Sequence, residues 1–345
     1  MLPLYIYDPT ATDEMSRVRG VGRYVQILRE CLGNEAIFTN KVTTIPFEST
    51  LINPFFDPLK KPLLSRRVTK KQIAVIHDLI PLKYPTHFPI GLKGRLNVFL
   101  NKLSLRNYDS IITDSEASKR DIVQILKINP EKIFVIYPTI ADVFYDKIAS
   151  AAPRNDIRLS TRSYFLYVGD ATWNKNLVNL AKAIQIANVS CVFVGKVFSG
   201  VHHDAPLQNP WLKELHEFLT IAKNDKRFIF PGYVSDVDLV GLYKGAIANI
   251  LVSRDEGFGF SYFEAASQST PSLLSDIPIF HETAGATALF ANPHDPQIIA
   301  KVILQFIHDK KQRNKLGKDS YERTPQFSKE KFKEQVIQLL KEGKE

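Results

Sequence analysis

Ser253-Arg254-Asp255-Glu256-Gly257-Phe258-Gly259-Phe260-Ser261-Tyr262-Phe263-Glu264-Ala265 follows directly on the apolar run Ala246-Ile247-Ala248-Asn249-Ile250-Leu251-Val252. The apolar run reads as a buried strand. The glycine-containing stretch Glu256 to Gly259 reads as a turn, and Phe260 to Gln268 as a helix. A strand, a glycine turn and a helix in that order bring backbone N–H groups and a positive dipole end to the strand's carboxyl edge. Open α/β sheets bind anions at that edge. Two carboxylates bracket the site, Glu256 in the turn and Glu264 eight residues further on within the helix. A carboxylate repels a phosphate, so these two are better suited to accept hydrogen bonds from neutral hydroxyls. A ligand with both phosphate and hydroxyls is a nucleotide or a nucleotide sugar. The plainer alternative is a pair of surface glutamates near a loop.

Working outward, the same strand–turn–helix pattern recurs. Tyr164-Phe165-Leu166-Tyr167-Val168 reads as a strand, followed by Gly169-Asp170 and a helix from about Asn176. Lys175 stands just before that helix, where an ammonium can neutralise phosphate oxygens beside the dipole; otherwise it is an exposed lysine. Cys191–Val194, Arg227–Phe230 and Ile247–Val252 alternate with helical stretches, as a parallel sheet with crossovers requires. Nearer the start, Leu4–Tyr7 is a short strand. It leads to a polar loop with Arg17, Arg19 and Gly20-Val21-Gly22, then a helix carrying Arg23. The glycines would let backbone approach a ligand, although Gly-x-Gly alone also describes a flexible loop. Ala36–Phe38 and Val42–Pro46 are strand candidates, and Asn53–Pro58 a loop. Gln72–Ile76 is a clearer strand that ends in His77-Asp78, so His77 faces the ligand crevice or is hydrogen-bonded to its own loop. Asp109–Ile112 is the next strand, and Ser115 can cap a helix through Lys127. Lys132–Tyr137 closes the first sheet.

The chain has 345 residues, enough for two domains of ordinary size, with 44% apolar and 23% charged residues. Cys31 and Cys191 are far apart and set in apolar surroundings, which reads as two buried thiols in a reducing compartment. The N-terminus lacks a basic region and a long apolar core, so no signal peptide is expected. No apolar run reaches the ~18 residues of a membrane span. The net charge is +9, and residues 1–155 hold 22 Lys/Arg against 15 Asp/Glu. From Leu59 to Arg106 there are eleven basic residues and a single acid, Asp78. Such a bias suits an anionic partner: a membrane surface, a lipid pyrophosphate or a nucleic acid. Leu92 to Asn107 reads as an amphipathic helix with Leu92, Leu96, Phe99, Leu100 and Leu103 on one side and Lys93, Arg95, Lys102 and Arg106 around it. It can rest on anionic head groups, or pack on the sheet with a solvated basic face. His202-His203-Asp204 offers adjacent histidines without a third ligand, so a loop is expected there and no metal.

Glu256-Gly257-Phe258-Gly259-Phe260-Ser261-Tyr262-Phe263-Glu264 resembles the E-x7-E element of the retaining glycosyltransferases of family 4, which have the GT-B fold. Gly20–Tyr24, Ile76–Pro81, Thr113–Asp121, Tyr167–Asn176 and Ser275–Gly285 resemble further elements of that family, in order along the chain. The resemblance covers about residues 5–325. It implies an α/β protein of two doubly wound Rossmann-like domains facing across a cleft. Residues 1–155 would form the acceptor-side domain and 160–325 the nucleotide-sugar domain, with a linker over 141–162. Residues 326–345 would carry a helix crossing back to the first domain. It also implies roles. Glu264 would bind the ribose hydroxyls, and Lys175 with Gly257, Phe258, Gly259 and Phe260 the pyrophosphate. Gly169 and Asp170 would lie beside it, Gly232, Tyr233 and Val234 would receive the nucleobase, and Glu256 and His77 would orient the transferred sugar. Gly20, Gly22 and Arg23 would form the acceptor and phosphate loop. Asp170 and Asn174 stand where an arginine is common in the family, so Lys175 carries more of the positive charge.

The implied activity is retaining transfer of a hexosyl unit, with no metal and no cofactor beyond the nucleotide-sugar substrate. The local pattern is most similar to bacterial mannosyltransferases that use GDP-mannose; a UDP-sugar is the alternative. The expected acceptor is a glycan or a lipid-linked saccharide of a surface polysaccharide. The expected location is the cytoplasm, with peripheral attachment to the inner face of the cell membrane. A GT-B phosphorylase or epimerase is a competing reading, as is a non-catalytic nucleotide-binding relative, to which Asp170 and Ser261 (often proline in the family) point. A nucleic-acid partner is not expected, since the aromatic-basic module it would need is lacking.

Overall fold

The computed structural model of the chain describes residues 2–10, 20–145, 162–198, 209–232 and 234–341. Its contacts divide it into two units, residues 1–141 with 327–345, and residues 142–326. Most of the linker expected over 141–162, and the His202-His203-Asp204 segment, lie outside the described residues.

The first unit is built on β1 (Leu4–Tyr7), α1 (Gly20–Leu32), β2 (Ala36–Thr39), β3 (Thr50–Asn53), β4 (Lys71–Val75), α2 (Gly91–Ser104), β5 (Ser110–Thr113), α3 (Glu116–Asp121) and β6 (Ile133–Val135). Its six strands lie in the order β2-β1-β3-β4-β5-β6 and all pairs are parallel. The order reverses between β1 and β3, which is the switch point of this sheet. Two local expectations are corrected. Val42–Thr44 is a single 3₁₀ turn, and the strand lies further on at Thr50–Asn53, where all four residues are buried. Gly20 and Gly22 belong to the first turn of α1, not to the loop before it. Ser115 does cap α3, its hydroxyl accepting from the Ser118 amide, and the helix then widens into a π turn at Ile122–Leu126.

Helix α2 packs the opposite way to the arrangement in which its apolar side covers the sheet. Its buried positions are Gly94, Asn97, Asn101 and Ser104. The three polar side chains meet backbone, not a core. Asn97 Nδ2 donates to the Leu59 carbonyl at 2.7 Å, Asn101 Nδ2 to the Lys60 carbonyl at 2.8 Å, and the Ser104 hydroxyl to the Leu64 carbonyl at 2.5 Å. The proline-broken segment 57–65 forms no sheet, so its carbonyls need donors from elsewhere. The polar side of α2 supplies them, and the leucines are left outside.

The second unit contains β7 (Tyr164–Val168), α4 (Leu177–Ala187), β8 (Ser190–Val194), α5 (Lys213–Ala222), β9 (Phe228–Ile229), α6 (Asp236–Gly245), β10 (Asn249–Leu251), α7 (Phe260–Ser267), β11 (Ser272–Ser275), α8 (Pro278–Ala284), β12 (Leu289–Ala291), α9 (Pro296–His308) and α10 (Lys310–Arg323). Its strands are again parallel, in the order β12-β11-β10-β7-β8-β9, so the chain reverses direction between β7 and β10. Helix α4 packs against both α5 and α9, and α7 packs with α6 and α10, one group on each face of a doubly wound sheet. The core between them is rich in aromatic rings: Phe193 lies 5.0 Å from Phe218 and 5.8 Å from Phe228 between ring centroids. A last helix, α11 (Lys329–Lys341), belongs to the first unit. There Phe332 meets the Tyr24 ring edge-on at 5.8 Å.

Candidate active site

In the second unit the switch point lies between the carboxyl ends of β7 and β10, where an open sheet leaves a crevice for a ligand. The two loops that leave these strands are tied together. Asn176, in a left-handed conformation at φ 61°, donates from Nδ2 to the carbonyls of Val252 at 2.9 Å and Pro293 at 2.6 Å. Asn174 donates to the Asp255 carbonyl at 3.1 Å, and the Arg254 amide donates to the Asn174 carbonyl at 2.7 Å. Gly259 takes φ +92°, and a Cβ there would stand 2.8 Å from the Phe280 ring, so only glycine lets β10 turn into α7 at this point.

This tie brings together two residues far apart in sequence. Lys175 Nζ donates to both carboxylate oxygens of Glu256, at 2.7 and 2.8 Å. Glu256 is buried and Lys175 half-buried. The Ser253 hydroxyl adds a 2.6 Å hydrogen bond to Glu256 Oε1, and the Ser275 hydroxyl holds the Ser253 carbonyl at 2.5 Å. Glu264 is buried on α7 and accepts from the Tyr243 hydroxyl of α6 at 2.9 Å. Both carboxylates are thus held by short contacts, Glu256 just before α7 and Glu264 within it, and the first turn of a helix presents amides that the helix itself does not use. Burial, and next the charge of Glu256, push the Tyr167 phenol well above its ordinary value; its hydroxyl donates to the Asp170 carbonyl at 2.5 Å.

Phe258 is buried and stacked on Phe263 at 4.6 Å, so its side chain belongs to the core and it can offer a ligand only backbone. Gly257 is buried and Phe260 half-buried. Gly169 donates its amide to the Val194 carbonyl at 3.0 Å, and Asp170 is exposed, its carboxylate turned back onto the Ala171 amide at 2.8 Å. Gly232 takes φ +76° after β9, Val234 is half-buried just before α6, and Tyr233 lies outside the described residues. The sequence gives Arg254 no role. Its guanidinium lies over the Trp173 ring at 4.8 Å, contacts the Trp173 carbonyl and pairs with Glu214 at 2.8 Å. Burial pushes the Glu214 carboxyl up, and the Arg254 charge only partly opposes it.

In the first unit His77 lies just beyond β4 and is held at both ring nitrogens. Nδ1 is 2.6 Å from Asp114 Oδ2 and Nε2 is 3.2 Å from the Pro54 carbonyl, while the Tyr24 ring meets it edge-on at 4.8 Å. Burial would push its pKa down, but the charge and hydrogen bond of Asp114, with Asp78 and the Pro54 carbonyl, hold it above the ordinary value. With acceptors at both nitrogens, the imidazolium form fits this setting. Arg23, on α1, donates to Gln26 Oε1 at 3.0 Å; Gly20 is exposed and Gly22 buried. Among the described residues no group of three His, Cys, Asp or Glu forms a metal site. Nor is any helix there long and apolar enough to cross a membrane.

Residues 152–323, which make up most of the second unit, match the family model described as glycosyl transferases group 1. Residues 152–323 belong to the group 1 glycosyl transferases. This transferase is 28% identical over 228 residues to the O-antigen chain mannosyltransferase RfbU of Salmonella typhimurium, covering 66% of this chain and 58% of that protein. It is 24% identical over 280 residues to O-antigen chain mannosyltransferase B of Escherichia coli, covering 79% and 70%. The chain therefore spans less than two thirds of the Salmonella protein's length. Among solved structures it is similar to Anabaena HepE in complex with UDP-glucose, with a TM-score of 0.74, 16% identity and 99% of each chain covered. It is also similar to sucrose-phosphate synthase from Thermosynechococcus elongatus, with a TM-score of 0.71, 17% identity and 99% and 98% covered. The fold of the transferase is accordingly GT-B.

Proposed function

We propose that this transferase moves a hexosyl unit, with mannose from GDP-mannose first in line, to a glycan or lipid-linked acceptor of a surface polysaccharide. The anomeric configuration would be retained. The observation that carries the reading is the Lys175–Glu256 pair at the switch point of the second sheet, beside the leading amides of α7. An ammonium and the amide end of a helix suit a diphosphate, and the buried acids suit hydroxyls. The names of the O-antigen relatives favour mannose, and the UDP-glucose held by HepE keeps a UDP-sugar as the second reading.

In this proposal Lys175 and the amides near Gly259 hold the pyrophosphate, Glu264 accepts from the ribose hydroxyls, and Glu256 orients the sugar. Lys175 is shared between the carboxylate and the phosphate. In the first unit, Asp114 fixes the ring of His77, which keeps its proposed role of contacting a sugar. The bond from the anomeric carbon to the phosphate oxygen breaks, and one to the acceptor oxygen forms on the same face. The released phosphate oxygen takes the acceptor's proton, so no side chain serves as nucleophile. Work in the cytoplasm, with no resident metal, completes the proposal.

The test is a panel of GDP-, UDP- and dTDP-sugars scored by thermal stabilisation. A ligand at 100 times its Kd adds about 2.7 kcal/mol to stability. GDP-mannose is expected to give the largest shift. A larger shift with a UDP-sugar selects the second reading, and no shift with any of them overturns the proposal.

A further inference from the structure

We propose that the outer face of α2 is a docking surface for an anionic lipid bilayer. Leu92, Leu96, Phe99, Leu100 and Leu103 line one side of this helix, and all five are exposed, Leu92 at 84%, Leu96 at 56% and Phe99 at 59%. Five large apolar side chains on successive turns of one helix are a contiguous patch, not scattered surface residues.

The face cannot be hidden by rolling the helix over. Asn97, Asn101 and Ser104 are hydrogen-bonded to the backbone of the 57–65 segment, and turning them out would strand those buried carbonyls. The exposure is therefore built into the fold of the first unit.

Charge selects the occupant. At 100° per residue, Lys93 falls on one margin of the apolar stripe and Arg95 on the other, with Arg106 continuing that margin in the turn after the helix. All three are exposed, and among the described residues none holds an ion pair. Lys102 differs, since its Nζ donates to the Ile125 carbonyl at 3.1 Å, and it is not counted. An apolar stripe with basic residues on both margins is the arrangement of a helix lying in a head-group layer, where the leucines enter the acyl boundary and the bases meet lipid phosphates. A protein partner would need an acidic groove complementary to a convex ridge, and nothing on this face favours one. This inference concerns the first unit alone and stands whether or not the donor reading of the second unit does.

The test is co-sedimentation of the full chain with vesicles of phosphatidylglycerol and phosphatidylcholine, and with phosphatidylcholine alone. Binding is expected to the anionic vesicles at low salt and to fall steeply toward 0.5 M salt, where the Debye length is only ~4 Å. The charge variant Lys93→Gln/Arg95→Gln/Arg106→Gln is expected to bind roughly a hundredfold more weakly, at about fivefold per basic residue. The apolar variant Leu92→Ser/Leu96→Ser/Phe99→Ser is expected to lose binding with only a small change in melting temperature, because all three side chains are largely exposed. No sedimentation with anionic vesicles overturns the proposal, as does equal binding by the wild type and both variants. A concentration-dependent dimer that the apolar variant abolishes, seen by analytical ultracentrifugation without vesicles, assigns the face to a second copy instead and also overturns it.

Discussion

Glu256 is the residue on which the site's chemistry turns, and its neighbours make its charge costly to strand. Removing one partner of a buried ion pair leaves the other unpaired and typically costs about 3–5 kcal/mol. Lys175→Ala is therefore expected to lower unfolding free energy by roughly that amount in urea titrations, discounted because Lys175 is only half-buried. Lys175→Ala/Glu256→Gln is expected to recover most of it, and a double variant as unstable as the single would show that the pair is not the cause. For donor binding, Glu264→Ala should raise the Kd for the nucleotide sugar, while Glu256→Ala should mainly slow transfer; unchanged kinetics in both would remove these residues from the site. His77 gives a pH-dependent test. Its folded pKa is held above the unfolded value near 6.5, so the Asp114–His77 pair contributes its full stability below that value. That contribution is lost as pH rises through the folded pKa. Asp114→Asn should lower the His77 pKa, read from its imidazole NMR shifts, and flatten the fall in stability across that window. The spacing of Glu256 and Glu264 made both acids legible in the sequence. Their partners were not, because Lys175 is 81 positions from Glu256 and Tyr243 is 21 from Glu264, and only the sheet and helix packing of the second unit brings them together.

At the scale of elements, most strands of both sheets were legible because buried parallel strands are short apolar runs. Tyr164–Val168 stands where the sequence puts it, and Ser190–Val194 and Lys71–Val75 lie within a residue of their expected bounds. Thr50–Asn53 was missed because its end residues are polar, yet it is wholly buried between β1 and β4. Helix α2 shows the limit of periodicity: the apolar stripe is real, but periodicity cannot say which side faces inward when a neighbouring loop needs hydrogen-bond donors. This yields an inverted expectation for mutants. Asn97→Ala and Asn101→Ala, on the buried polar side, should each lower unfolding free energy by about 1–3 kcal/mol, because buried carbonyls lose their partners. Leu96→Ser, on the apolar side, should change it by less than about 0.5 kcal/mol. Equal losses at all three positions in thermal unfolding would mean that α2 buries its leucines after all. The turn into α7 offers a second case. Gly259→Ala meets both the positive φ and the Phe280 ring, and should cost at least about 2 kcal/mol by the same measurement.

For the chain as a whole, the two units were legible as two runs of alternating strands and helices, and the reversal of strand order in each sheet explains why the expected residues gather at carboxyl edges. Less legible was how the first unit is completed by residues from the far end of the sequence. The resemblance implies a helix within 326–345 that crosses back to the first domain, but periodicity alone does not name the residues it meets. In the structure α11 buries Phe332, Val336, Leu339 and Leu340 in the first unit. Lys71 Nζ donates to the Leu339 carbonyl at 2.6 Å, and Lys333 pairs with Glu35 at 2.5 Å. Four buried apolar side chains are worth about 1.5–3 kcal/mol each, an amount comparable to the whole stability of an ordinary domain. A chain ending at Gln326 keeps every element of the second unit while removing α11 from the first. Hydrogen exchange followed segment by segment should then show protection lost across β1, α1 and β4 but kept across β7, β8 and β10. The thermal shift given by a nucleotide sugar bound to the second unit should survive the truncation. If β1 and α1 stay as protected as in the full chain, α11 is an appendage and not a structural part of the first unit.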